Sequence, residues 1–451
     1  MTDVGQTMIA TEFQDQVTGI FMNFGATGYL YLVLDFPTPL DAGALALATR
    51  RLLDAEPVLG CRFDDSEETP VWRRRADLDT NSGFALIETG DIEGETTKFV
   101  ATVFDPRTGD NMAVRLLRRT GDGAIGDGAG GDRLILCVSH TVADGGAAVM
   151  VLERLATLYS GIVADPAFQL PPNPAPRDSF GWLANFSLRD KMKVVRRDLG
   201  ELPRLMRRQQ GFLRSRAQFA ATPRVRPILA RMVVPAERLA TIDAAAKAHG
   251  LSRNDMLLGG FARAFVAFCH GDPGRPLQII MPVNLRRYAE TESRPAICNL
   301  GGISNIFIEP NLGKAFGDTV QRVDRDMERQ RKSFMGAANP YTAKMLASLS
   351  YARKRRTLDR MMEAGMKKPV PPTFTNVGRI QERRIRFAGT APTGVTLYGT
   401  PLPLPIVVVA VVEYAGSLIL TMPYYQDDYP PGAVEHFLAD IVNSIETNRD
   451  E

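Results

Sequence analysis

Residues 137–146 read CVSHTVADGG. An apolar run ends at Ser139, His140 follows, and Asp144 stands four positions on, directly before paired glycines. With only four histidines in 451 residues, HxxxDGG arises by chance in roughly one such chain in several hundred. The run 133–139 reads as a strand that delivers His140 to a turn. Gly145 and Gly146 there let the backbone bend and approach its surroundings closely before the next helix. A lone histidine at a strand end is more often a hydrogen-bonded core residue. In this setting the ring instead faces a cleft, where an imidazole with a pKa near about 6.5 takes a proton from a hydroxyl or amine. Two roles are open to Asp144: it bonds the ring and fixes its tautomer, or it turns away to an arginine and holds the loop in shape.

Outward from this stretch the order is mixed α/β. Strand-like runs at 28–36, 57–63, 111–117 and 133–139 alternate with helical patterns near 40–54 and 147–159. The segment GDGAIGDGAGG, 121–131, is rich in glycine and aspartate and reads as a flexible loop. A phosphate-cradling role would require a helix after it, and a strand follows. A proline-rich stretch, 161–186, reads as an extended connector. A second α/β half follows, with strands at 227–235, 277–283, 302–309, 371–377, 405–414 and 417–425. Its helices fall at 236–249, after the capping box SRND at 252–255, near 312–331 and 340–364, and from about 432. The division expected is 1–165, a connecting segment 166–226, and 227–451.

The chain is too long for one ordinary core, and its composition is that of a globular protein. Cys61, Cys137, Cys269 and Cys298 lack metal-binding spacing and read as reduced thiols. The N-terminal residues lack the basic start and apolar stretch of a signal peptide, and the apolar stretch 401–412 is too short and proline-rich to span a bilayer, so a cytoplasmic protein is expected. Residues 189–216 hold ten Lys or Arg against three acids, +7 in a chain of net +3. Leu188, Met192, Val195, Leu199, Leu202 and Met206 recur at spacings of four and three, with Gly200 and Pro203 bending the middle. The expectation is a solvated crossover helix packed on the body, with one face apolar and the other basic. The alternatives are a docking face for an acidic carrier protein, an anionic membrane surface or coenzyme phosphates. Nucleic acid is disfavoured, because no aromatic interleaving accompanies the charge.

SHTVADGG resembles the HxxxDG signature of the chloramphenicol acetyltransferase-like superfamily, which includes condensation domains of nonribosomal peptide synthesis, BAHD acyltransferases, wax ester synthases and alcohol acyltransferases. The resemblance extends in order along the chain through LDAEPVLGCRF (53–63), MPVNLRR (281–287), GGISNIFIE (301–309) and FTNVGR (374–379). It implies two α/β subdomains in a V, with an active-site tunnel at their interface and His140 midway along it. A thioester donor, acyl-coenzyme A or an acyl-phosphopantetheine on a carrier protein, enters from one face, and an alcohol or amine acceptor from the other. His140 is then the general base, Gly145 keeps the turn open, and Asp144 pairs with Arg286, or else Arg287. Thr375 and Asn376 are candidates to donate to the developing oxyanion. Two features depart from subgroups of the family. Ser139 stands where many condensation domains and wax ester synthases carry a first histidine, and FTNVGR does not match the DFGWG-type motif of BAHD enzymes.

The activity implied is acyl transfer to a hydroxyl or amine without metal or redox cofactor. The alternatives are a lipid or wax ester synthase working at a membrane surface, and a carrier-binding platform without catalysis. His249, His270 and His436 have no partner at catalytic spacing and read as helix-end or surface residues.

Overall fold

The computed structural model describes residues 8–22, 28–102, 105–120, 131–207, 209–212, 226–272, 275–289, 294–309, 312, 315–337, 340–365 and 367–446. The strand ahead of the histidine, Asp132–Ser139, is buried at all eight positions. Alternation explains why it reads as a continuous apolar run. Leu134, Leu136 and Val138 face one core with the helices Ala42–Ala55 and Gly145–Ala164, while Ile135 and Cys137 face a second with Phe99 and Val100 of the helix Ile92–Val100.

This strand is central in a five-stranded sheet, ordered Gly394–Gly399, Tyr29–Asp35, Asp132–Ser139, Met112–Arg119, Phe84–Thr89. All pairs are antiparallel except the last. The second half builds a six-stranded sheet, ordered Gly301–Ile308, Leu277–Asn284, Thr373–Arg379, Val408–Tyr414, Ser417–Tyr425, Pro227–Val234. The helices Ala236–Ala248, Arg253–Phe268, Phe316–Lys332 and Ala433–Glu446 contribute to its core. A third sheet of three short strands joins Met8–Ala10, Val71–Arg74 and Cys61–Asp64.

Several elements differ from the sequence expectation for identifiable reasons. Pro57 opens a 3-10 turn over Pro57–Gly60, so the strand read at 57–63 begins only at Cys61. The helix read at 340–364 is two, Pro340–Ala347 and Tyr351–Gly365. Gly394–Gly399 lies in the second half of the sequence yet pairs along Tyr29–Asp35 in the first sheet, so sequence and space divide the chain differently at this strand. The capping box forms as spaced, with Ser252 accepting from the Asp255 amide and Asp255 from the Ser252 amide. The basic stretch forms one helix through Leu188–Leu205, with Pro203 inside its last turn. Of the loop expected at 121–131, all but Gly131 lies outside the described residues.

Candidate active site

The strand ends at Ser139 and the chain turns at His140, whose amide donates to the Gly28 carbonyl at 3.0 Å. Asp144 is the N-cap of the helix Gly145–Ala164: its backbone is extended, and its Oδ1 accepts from the Ala147 amide at 2.8 Å. The same carboxylate reaches into the second half. Arg286 Nη1 donates to Asp144 Oδ1 at 2.9 Å and Oδ2 at 2.8 Å, and the Leu300 amide donates to Oδ2 at 2.6 Å. Both side chains of this pair are largely buried. Burial alone would push the Arg286 guanidinium down, but the carboxylate outweighs it and its pKa is raised.

The paired glycines explain how the halves come so close. Neither has a positive φ. A Cβ on Gly145 would stand 3.1 Å from Val377 Cγ2, and one on Gly146 would stand 2.7 Å from Asn284 Nδ2. Gly145 is therefore a point of close approach between the helix start of one half and a strand of the other.

His140 is half-buried. Burial holds its imidazole below the ordinary value of 6.5, against the opposing effects of ring hydrogen bonds to the carbonyls of His140 and Ala143 and of the Asp144 charge. Only Nδ1 can reach a histidine's own carbonyl. Nδ1 is thus the nitrogen turned toward the backbone, and whether it donates or accepts there is set by the tautomer. Asn299 attends the same carbonyl: its Nδ2 donates to His140 O at 3.2 Å and stands 3.5 Å from Nδ1. Asp144 itself is committed to Arg286 and to backbone amides, and its effect on the ring is electrostatic.

The other residues read from sequence fall as follows. Phe374 packs on Phe261 of the helix Arg253–Phe268, and Asn376, on the same face of its strand, donates to Asn254 at 3.2 Å and accepts from the Gly378 amide at 2.9 Å. Both ends of the Asn376 amide are thus engaged away from the motif. Val377, the residue that meets Gly145, stands at a bulge in the pairing of this strand, and Thr375 is half-buried two residues before it. Arg287 lies over the Tyr288 ring rather than on Asp144. His249 caps a helix, and His270 and His436 are exposed.

No protein-family model matches the chain, and no curated protein sequence does. Solved structures match over nearly its full length. The first condensation domain of the calcium-dependent antibiotic synthetase has a TM-score of 0.67 at 19% identity, covering 98% of this chain and 96% of that one. A trichothecene 15-O-acetyltransferase from Fusarium sporotrichioides gives 0.69 at 13%, covering 97% and 94%. Polyketide synthase associated protein 5 from Mycobacterium tuberculosis gives 0.64 at 16%, covering 95% and 96%. The fold is chloramphenicol acetyltransferase-like.

Within this fold, the segment Arg294–Leu300 forms a strap that the sequence did not single out. It has no regular secondary structure, yet residues from several elements grip it. Arg154 and Asn173 donate to the Pro295 carbonyl, Arg177 to Ile297 at 2.9 Å, and Arg286 to Cys298, while the Leu300 amide donates to Asp144. Arg177, from the proline-rich connector, also pairs with the fully buried Asp15 at 2.7 Å and reaches the Val142 carbonyl inside the motif. The connector is therefore part of the site's framework. Asn299 rides on this strap, and only the asparagine-glycine texture of CNLGG hinted at it.

Proposed function

We propose that the protein transfers an acyl group from a thioester to a hydroxyl or amine, with His140 as general base. The observation that carries the reading is the setting of His140: it stands half-buried at the end of its strand, with Asn299 Nδ2 3.5 Å from its Nδ1, beside the Asp144–Arg286 pair that joins the two halves. Nε2 takes the proton from the acceptor as its oxygen or nitrogen bonds to the thioester carbonyl carbon. The tetrahedral oxyanion then collapses, the C–S bond breaks, and the imidazolium returns the proton to the departing thiolate. The products are an ester or amide and a free thiol. Thr375, half-buried on the strand whose Val377 meets Gly145, is the side chain assigned to donate to the oxyanion; Asn376 must first leave Asn254. The likeness to a condensation domain and to a polyketide synthase associated protein favours a carrier-borne phosphopantetheine thioester over free acyl-coenzyme A. The test is turnover of a thioester panel by wild type and by His140→Ala. Loss of turnover by roughly 10² to 10⁴ with folding retained supports His140 as base, and turnover within a few-fold of wild type refutes it.

A further inference from the structure

The helix Leu188–Leu205 is mounted the opposite way from the one its sequence suggests. Its buried residues are Val194, Arg197 and Glu201. Arg197 donates to the Ser333, Phe334 and Ala337 carbonyls at 2.9, 3.0 and 2.6 Å, and Glu201 accepts from Gln330 at 2.6 Å. The apolar series, by contrast, points into solvent. Leu188, Met192, Val195, Leu199, Leu202 and Met206 are all exposed, from 37% at Val195 to 80% at Met206. At about 100° per residue these six fall within roughly 80° of arc, and the buried residues lie opposite. The helix packs on the body, as expected of a crossover, but by Val194, Arg197 and Glu201 and not by its apolar series. Arg197 supplies the reason, since it donates to three backbone carbonyls, of which only that of Phe334 has another recorded backbone donor, the Ala337 amide.

Cations flank the exposed stripe. Arg189 and Arg196 lie along one side and Lys191 along the other, and among the described residues none of the three has an acidic partner. Lys193, Arg204 and Arg207 are instead paired, with Asp190, Asp326 and Glu309. A continuous apolar stripe with unpaired cations only at its margins suits a surface that is apolar at depth and anionic at the level of the flanks. A second copy fits poorly, because stripe-to-stripe pairing would juxtapose like charges. An acidic protein would leave the apolar centre unmatched.

We propose that this helix lies in the interface of an anionic lipid bilayer and holds the protein on that surface, independently of what the seam catalyses. The probe is the full chain with vesicles of phosphatidylcholine alone or mixed with phosphatidylglycerol at about 2:1, read by flotation. The mixed vesicles should bind at least about tenfold more tightly than the neutral ones, less so in high salt. Neutralising Arg189→Gln with Arg196→Gln should weaken binding about fivefold per cation. Met192→Glu with Leu199→Glu should abolish it. Should that second pair disturb the melting curve, the arginine pair still decides. The proposal is overturned if the chain fails to float with mixed vesicles, or if neither pair changes its binding. It is overturned equally if light scattering shows a dimer that Met192→Glu with Leu199→Glu dissolves, or if an acidic carrier domain binds the stripe, with no flotation in either case.

Discussion

Replacing Arg286 with alanine removes the two hydrogen bonds of Nη1 to Asp144 and the bond of Nη2 to the Cys298 carbonyl. The Asp144 carboxylate stays behind at 9% side-chain exposure with only the Leu300 and Ala147 amides. Breaking a buried pair by deleting one partner costs about 3 to 5 kcal/mol, because the remaining charge is uncompensated. For a cooperative unit of subdomain size this is a fall in melting temperature of roughly 6 to 20 °C. The two retained amide bonds place the expectation toward the lower end. Turnover should fall too, since the Cys298 carbonyl released by Arg286→Ala adjoins Asn299, which attends His140. Scanning calorimetry on Arg286→Ala, Asp144→Ala and the double variant reads the outcome. The double variant should cost less than the sum of the singles by about 1 to 3 kcal/mol. Singles that melt within about 2 °C of wild type while losing activity would refute the lock and place Asp144 against the imidazole.

The pH dependence follows from the direction of the His140 shift. Burial holds the folded pKa below 6.5, the base must be neutral to work, and so the acid limb of kcat/KM should fall below pH 6.5. The unfolded chain then binds the proton more readily, so the histidine's contribution to stability is full above pH 6.5 and lost as pH falls toward the folded value. Asn299→Asp sets a carboxylate beside Nδ1 and should move the acid limb to higher pH, whereas Asn299→Ala should lower kcat about tenfold with KM little changed; an unmoved limb in Asn299→Asp would show that Asn299 does not position the ring. Gly146→Ala places a methyl 2.7 Å from Asn284 Nδ2, the side chain that accepts from the Arg286 amide, and should cost about 1 to 3 kcal/mol by denaturant unfolding.

What the sequence could show was local. The strand Asp132–Ser139, the turn at His140 and the capping box at Ser252 carry their own patterns within a few residues, and each formed where the pattern placed it. Gly394–Gly399 did not stand out, because its partner is Tyr29–Asp35, more than 300 residues away, and GVTLYG is short. Arg286 was reachable through resemblance, since it follows a readable strand. Asn299 and Arg177 were not, for one lies on a segment without periodicity and the other in a connector whose prolines suggested a spacer. The orientation of the helix Leu188–Leu205 was unreadable for a different reason. Amphipathic spacing identifies the apolar side of a helix, and only the carbonyls of Ser333, Phe334 and Ala337 fix which side turns inward.

The strap explains why the candidate site depends on both halves although its histidine belongs to one. Arg154 comes from the helix after the motif, Arg177 from the connector and Arg286 from the end of a second-half strand, and each ends on a different carbonyl of Arg294–Leu300. Backbone carbonyls cannot be exchanged for other chemistry, so each arginine fixes the register of the strap rather than the identity of a side chain. Asn299 is positioned by that register, between Ile297 and Cys298 on one side and Leu300 on the other. Its amide donates to the His140 carbonyl at 3.2 Å and stands 3.5 Å from Nδ1. The contact of Asn299 with His140 is therefore tied to the docking of one subdomain on the other: a shift of the strap by one residue would exchange the asparagine at the histidine for Cys298 or Leu300, neither of which carries an amide side chain.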